Sequence, residues 1–184
     1  MFKKIMISIF MVGTLAFAPA AFAESVILVF DVDRAIALSK AGKSMAAQLE
    51  EQVSKVRTDE SEILKNLQSE AEKLKEQQKL LAPEALQKKV EELRSKEVER
   101  RRSLNEKSQS IQAGGQRAAA EIVKIAEEEL SAISKERKAD IVMRRDAVFF
   151  ASPAIDVTAE LVSRLDKRLS KVKVTPVALK KPGQ

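Results

Sequence analysis

The sequence predicts an α+β chain that is mostly α: a long antiparallel coiled-coil helical hairpin inserted in a small β-containing body that self-associates. Three observations carry this expectation. Residues 43–81 contain no Gly and no Pro, and their apolar side chains recur at heptad spacing. A second seam of similar pitch begins after Pro83. Short β-branched and aromatic runs flank this helical stretch on both sides.

The N-terminus reads as an export signal. Lys3 and Lys4 precede an apolar run over residues 5–17, and Ala21-Phe22-Ala23 supplies a small-x-small cleavage signature. Cleavage is expected between Ala23 and Glu24, so residues 1–23 form a signal peptide. The alternative is an N-terminal anchor, for which the run is short against a hydrocarbon core of about 30 Å.

Residues 24–42 are expected to give one strand and a short helix of the body. Residues 25–30, Ser-Val-Ile-Leu-Val-Phe, suit a buried strand, and residues 31–39 suit an amphipathic helix offering Ile36 and Leu38. Ala41-Gly42 is expected to end it. The arm is assigned to residues 43–138. Its first seam runs Leu49, Val53, Val56, Ile63, Leu67, Leu74, on a helix of about 55 Å. Its tip is placed near 81–84, where Pro83 suits the first turn of a new helix. A single helix kinked at Pro83 is the alternative, but two seams of similar pitch bury each other best in a reversed hairpin. The second seam runs Val90, Leu104, Ile111, Ala118, Ile125, with Glu97 at the missing step and Leu86 and Leu93 at its edge. Gly114 and Gly115 form a candidate hinge, because two helical glycines cost roughly 1 kcal/mol each relative to Ala; a loop ending the helix there is the alternative.

Residues 139–169 are expected to return to the body. Two apolar runs around Arg144-Arg145-Asp146 suggest a β-hairpin, followed by a helix capped by Asp156 with Val157, Leu161, Val162, Leu165 and Leu169 on its apolar face. Residues 170–184 read as a basic, disordered tail.

Composition narrows the function. The formal charge is +6, but residues 167–184 alone carry six Lys or Arg and no acid. The basicity is thus local, and with no Trp or Tyr to stack on bases a nucleic-acid partner is not expected. With no Cys and no His, disulfides and the commonest general base and metal ligand are missing. No catalytic, cofactor or metal site is expected. Asp31-x-Asp33 offers too few oxygens for a Ca²⁺ site, and Glu127-Glu128-Glu129 reads as a solvated helix face. The informative charges lie around the tip. Residues 73–102 hold Lys73, Lys75, Lys79, Lys88, Lys89, Arg94, Lys96, Arg100, Arg101 and Arg102 against six Glu, a net of +4. They are candidate contacts for an acidic unfolded chain or an anionic membrane surface; a salt-bridged solvated face is the plain alternative.

The ends of the chain resemble the Skp (OmpH-like) family of periplasmic chaperones. The resemblance rests on residues 26–34 (Val-Ile-Leu-Val-Phe-Asp-Val-Asp-Arg), 39–43 (Ser-Lys-Ala-Gly-Lys), 139–142, 147–151, 155–161 and 164–166, and the middle of the chain is similar in length and helical pattern. It implies a homotrimer whose strands form a common body and whose three arms enclose a cavity. It also implies an ATP-independent holdase for unfolded outer-membrane β-barrel proteins. The basic tail is not part of that family pattern. A structural coiled-coil envelope protein and an anionic-lipid-binding adaptor are the competing readings.

Overall fold

The structure, a computed structural model, describes residues 25–178. The cleavage site at Ala23 and Glu24 and residues 179–184 lie outside them. Strand β1 (Ile27–Phe30) leads into helix α1 (Val32–Leu38), helix α2 (Lys40–Gln77) and helix α3 (Pro83–Glu136). Strand β2 (Ile141–Arg144), two single 3-10 turns and helix α4 (Thr158–Arg168) complete the order. Among the described residues no helix is long and apolar enough to cross a membrane.

The joint between α1 and α2 is made by one side chain. Ser39 is fully buried, and its hydroxyl donates to the Ile36 carbonyl at 2.8 Å and accepts from the Gly42 amide at 3.0 Å. It therefore closes α1 and caps α2 at once. Gly42 does not end a helix, as the sequence suggested. It lies in the first turn of α2, where a Cβ would strike the Ile36 carbonyl. Asp31 is likewise accounted for by capping: its carboxylate accepts from the Arg34 amide at 2.9 Å.

Helices α2 and α3 form an antiparallel hairpin. Lys96 bonds Glu70 at 2.8 Å, Lys107 bonds Asp59, and Gly115 faces Leu49. These pairs fold symmetrically about Pro83, which opens α3 where its missing N–H costs nothing. The seams differ in detail from the heptad reading. Val53 and Val90 are exposed, while Gln52, Leu86 and Leu93 turn inward.

The expected β-hairpin is not formed. β2 pairs with β1 in parallel, Ile27 opposite Ile141 through Phe30 opposite Arg144. Residues 148–151 make no strand, and Phe149 and Phe150 point into solvent. The other edge of β1 is taken by the approach to α4: Val29 bridges Asp156, and the Val157 amide donates to the Val29 carbonyl at 2.9 Å. β1 thus carries hydrogen bonds on both edges, and its Leu28 and Val29 are buried.

The core sits where the roots of the arm meet this sheet. Ile122, Ala126 and Ile133 of α3 pack with Leu161 and Leu165 of α4, Ala35 and Ala41. The apolar face expected for α4 is the one observed. Asp156 accepts from the Thr158 amide at 2.8 Å, and the Thr158 side chain and backbone hold its carboxyl below the usual range. Around the rim, Arg137 pairs with Glu160 at 2.6 Å, Arg164 with Glu136 and Glu160, and Arg168 with Glu128 and Glu129.

The Arg164 hydrogen bond holds the Glu136 carboxyl below its ordinary 4.5, and Arg137, then Arg164, do the same for Glu160. Depressed folded-state values make this contribution complete above pH 4.5 and lost as pH falls through the folded values. The thermal midpoint is expected to decline below that pH. Arg164→Met should flatten the decline; calorimetry from pH 7 to pH 3 checks it.

Candidate functional site

The ten cations singled out in the sequence all lie on the arm and all are exposed. Three are tied to acids: Lys96 to Glu70 at 2.8 Å, Arg101 to Glu97 at 2.9 Å and Arg102 to Glu106 at 2.8 Å. Lys73, Lys75, Lys79, Lys88, Lys89, Arg94 and Arg100 make no ion pair among the described residues. Near the tip, an open groove is lined by Lys73, Lys89 and Lys96 together with Glu70, Glu92, Leu74 and Leu93. Leu64, Leu80, Val90 and Val98 add exposed apolar side chains to the same part of the arm. The arrangement offers charge and scattered apolar surface in an open groove. Among the described residues no group of acidic side chains is placed to hold a metal ion.

The glycine pair receives a different account from the hinge expected of it. α3 runs through Gly114 and Gly115 without a break, and both are buried. A Cβ on Gly115 would lie 3.0 Å from the Leu49 side chain of α2. A Cβ on Gly114 would collide with the backbone carbonyl of Thr175. The glycines permit close approach on two sides.

Thr175 belongs to the segment read as disordered, and that reading is corrected for residues 170–178. After α4 the chain lies extended along the groove between α2 and α3, heading from the body towards the tip. Val172 and Val174 are buried in the core cluster while Lys171 and Lys173 face out. Gln48 donates to the Val172 carbonyl at 2.7 Å and accepts from the Val174 amide at 3.0 Å. Gln52 donates to the Val174 carbonyl at 3.0 Å. Ser110 and Val177 exchange two hydrogen bonds, 2.7 and 3.0 Å long. The sequence signal for this strap was its alternation, Lys-Val-Lys-Val, at the two-residue period of a half-buried extended chain.

The family pattern described as outer membrane protein (OmpH-like) matches residues 26–165. The chain belongs to this OmpH-like family, as its ends suggested. Among solved structures, it is similar to the crystal structure of an OmpH-like protein from Caulobacter crescentus, itself provisionally assigned as an outer membrane chaperone. The TM-score is 0.78 at 23% identity, covering 96% of this chain and 100% of that one, a likeness that speaks for the fold. No curated protein gives a significant match. Membership supports a general chaperone role.

Gly114→Ala is expected to destabilise the protein and speed amide exchange in residues 172–178, although Ala favours a helix by roughly 1 kcal/mol. Gly115→Ala should be near neutral, because the Leu49 side chain can yield. Denaturant titration and exchange measured on both variants check the contrast.

Proposed function

We propose that this protein is an exported, ATP-independent holdase that binds unfolded outer-membrane β-barrel proteins in the periplasm and keeps them from aggregating. The observation that carries the reading is the distal arm of an OmpH-like chain: seven of its ten cations between residues 73 and 102 make no ion pair, and several apolar side chains stand in solvent. Many weak contacts of this kind hold a disordered client, since each further contact is effectively intramolecular. They also release it without nucleotide.

The holding cavity would lie between the arms of a homotrimer. In one chain, Phe149 is fully exposed, Phe150 is 74% exposed, and Ile27 and Ile141 are partly bare beside a two-stranded sheet. So small a sheet with an apolar surround gains from self-association. Sedimentation of residues 24–184 should give a trimer, and Phe149→Asp with Phe150→Asp should shift it towards monomer. A wild-type chain that remains monomeric at micromolar concentration rules the cavity out.

The deciding experiment dilutes a urea-unfolded outer-membrane β-barrel protein into buffer with and without the chaperone. Stoichiometric suppression of light scattering is expected; unchanged scattering rejects the holdase in favour of a structural envelope role.

The cations are assigned to encounter. Lys73→Glu, Lys89→Glu and Arg94→Glu together should slow association with an acidic client severalfold at low salt and change dissociation little. The difference should fade as the Debye length falls to about 8 Å near physiological ionic strength. Stopped-flow fluorescence, with helicity verified by circular dichroism, checks this. Anionic vesicles in place of the client test the alternative that the same cations meet a lipid surface.

A further inference from the structure

The groove that holds the C-terminal strap is built as a reader of extended backbone. Gln48 and Gln52 stand one helical turn apart, about 6 Å along α2. An extended chain advances about 6.6 Å in two residues, so the two periods match. Gln48 uses both ends of its amide: Nε2 meets the carbonyl of residue 172 and Oε1 the amide of residue 174. Ser44 holds that amide in place through its carbonyl at 3.1 Å and hydroxyl at 3.2 Å. Gln52 repeats the first half of the pattern one step on, with Nε2 to the carbonyl of residue 174. The second half would take the amide of residue 176, but that residue is Pro176 and has no N–H. Gln52 Oε1 is, accordingly, the one buried side-chain polar atom without a partner among the described residues. A buried acceptor left open is costly, and the cost is specific to the occupant. Between the hydrogen bonds, alternate residues Val172 and Val174 are buried.

We propose that the α2–α3 groove at the root of the arm binds an extended polypeptide with apolar residues at alternate positions, read through its backbone by Gln48 and Gln52. The segment 172–178 is its built-in occupant, made displaceable by Pro176. The proposal rests on the reading that this chain binds unfolded polypeptide, and it names the pattern recognised. Strands of membrane β-barrels carry that pattern, apolar at every second residue, and any residue but proline completes the bond to Gln52.

The test uses the full chain in four forms: wild type, Pro176→Ala, Gln52→Met and the double variant. Supplying an N–H at position 176 should slow amide exchange across 172–178 about fivefold when Gln52 is present. The same change in the Gln52→Met background should not slow it, which separates the new bond from the altered chain entropy of losing a proline. A fluorescein-labelled ten-residue peptide of alternating valine and threonine is the probe. Its affinity should fall about fivefold in Pro176→Ala, because a tighter strap competes better. Equal exchange effects of Pro176→Ala in both backgrounds overturn the proposal, as does a probe affinity that ignores that substitution. If the wild type suppresses client aggregation while either of these holds, the groove assignment fails and the holdase stands. If exchange and probe behave as expected while aggregation is not suppressed, the groove is a peptide site and the holdase reading fails.

Discussion

The packing of the long helical hairpin brings Ile27–Phe30 alongside Ile141–Arg144, and their parallel pairing closes a loop of more than a hundred residues. Four residue pairs of ladder are a small return on the entropy of so long a loop, even though that entropy grows only slowly with length. The closure holds because the intervening chain is a hairpin that ends where it began. α2 climbs, α3 descends, and their partners fold symmetrically about Pro83. α3 is longer than α2, and its extra turns carry Ile122, Ala126 and Ile133 past the arm to meet α4. The sheet therefore rests on helix packing, with β1 receiving hydrogen bonds on both edges as a consequence.

Energetics along the arm are uneven. At the root, Ile111, Ala118, Ile122, Ala126 and Ile133 are buried, and the strap contributes Val172 and Val174. Towards the tip the inward side chains, Ile63, Leu67, Leu74, Leu86 and Leu93, are only half-buried. The cross-arm ion pairs Glu70–Lys96 and Asp59–Lys107 are exposed, where such pairs contribute little. They set alignment more than stability.

The helices were legible because length and periodicity accumulate. An arm of this length, uninterrupted by Gly or Pro up to its turn, has few alternative forms. The face of α4 was legible for the same reason. Strand partnership was not, because a four-residue apolar run specifies burial and not its neighbour. Residues 148–151 look as strand-like as 141–144, yet their two central phenylalanines are exposed. Gln52 displaced Val53 from the interior because a backbone needed a donor there, which no count of apolar spacing reveals. Gly114 and Gly115 read as weak points by propensity alone; the meaning of Gly114 depended on a segment some sixty residues later, and that of Gly115 on Leu49 of the facing helix. That segment was misjudged because its lysines and proline outweighed two valines in a compositional reading. The cations, by contrast, were visible at once, and only their pairing depended on the folded arm.

The graded burial of the arm gives it the mechanics of a cantilever. A rod clamped by a dry root and lightly glued at its free end concentrates rigidity near the body and compliance far from it. Opening the last turns breaks few apolar contacts and exposes backbone that water already reaches, so the free energy of local opening falls from root to tip. A load applied at the end therefore bends or frays the distal turns and leaves the sheet undisturbed. Such a limb can change shape at its end while the joint that defines the molecule keeps its geometry.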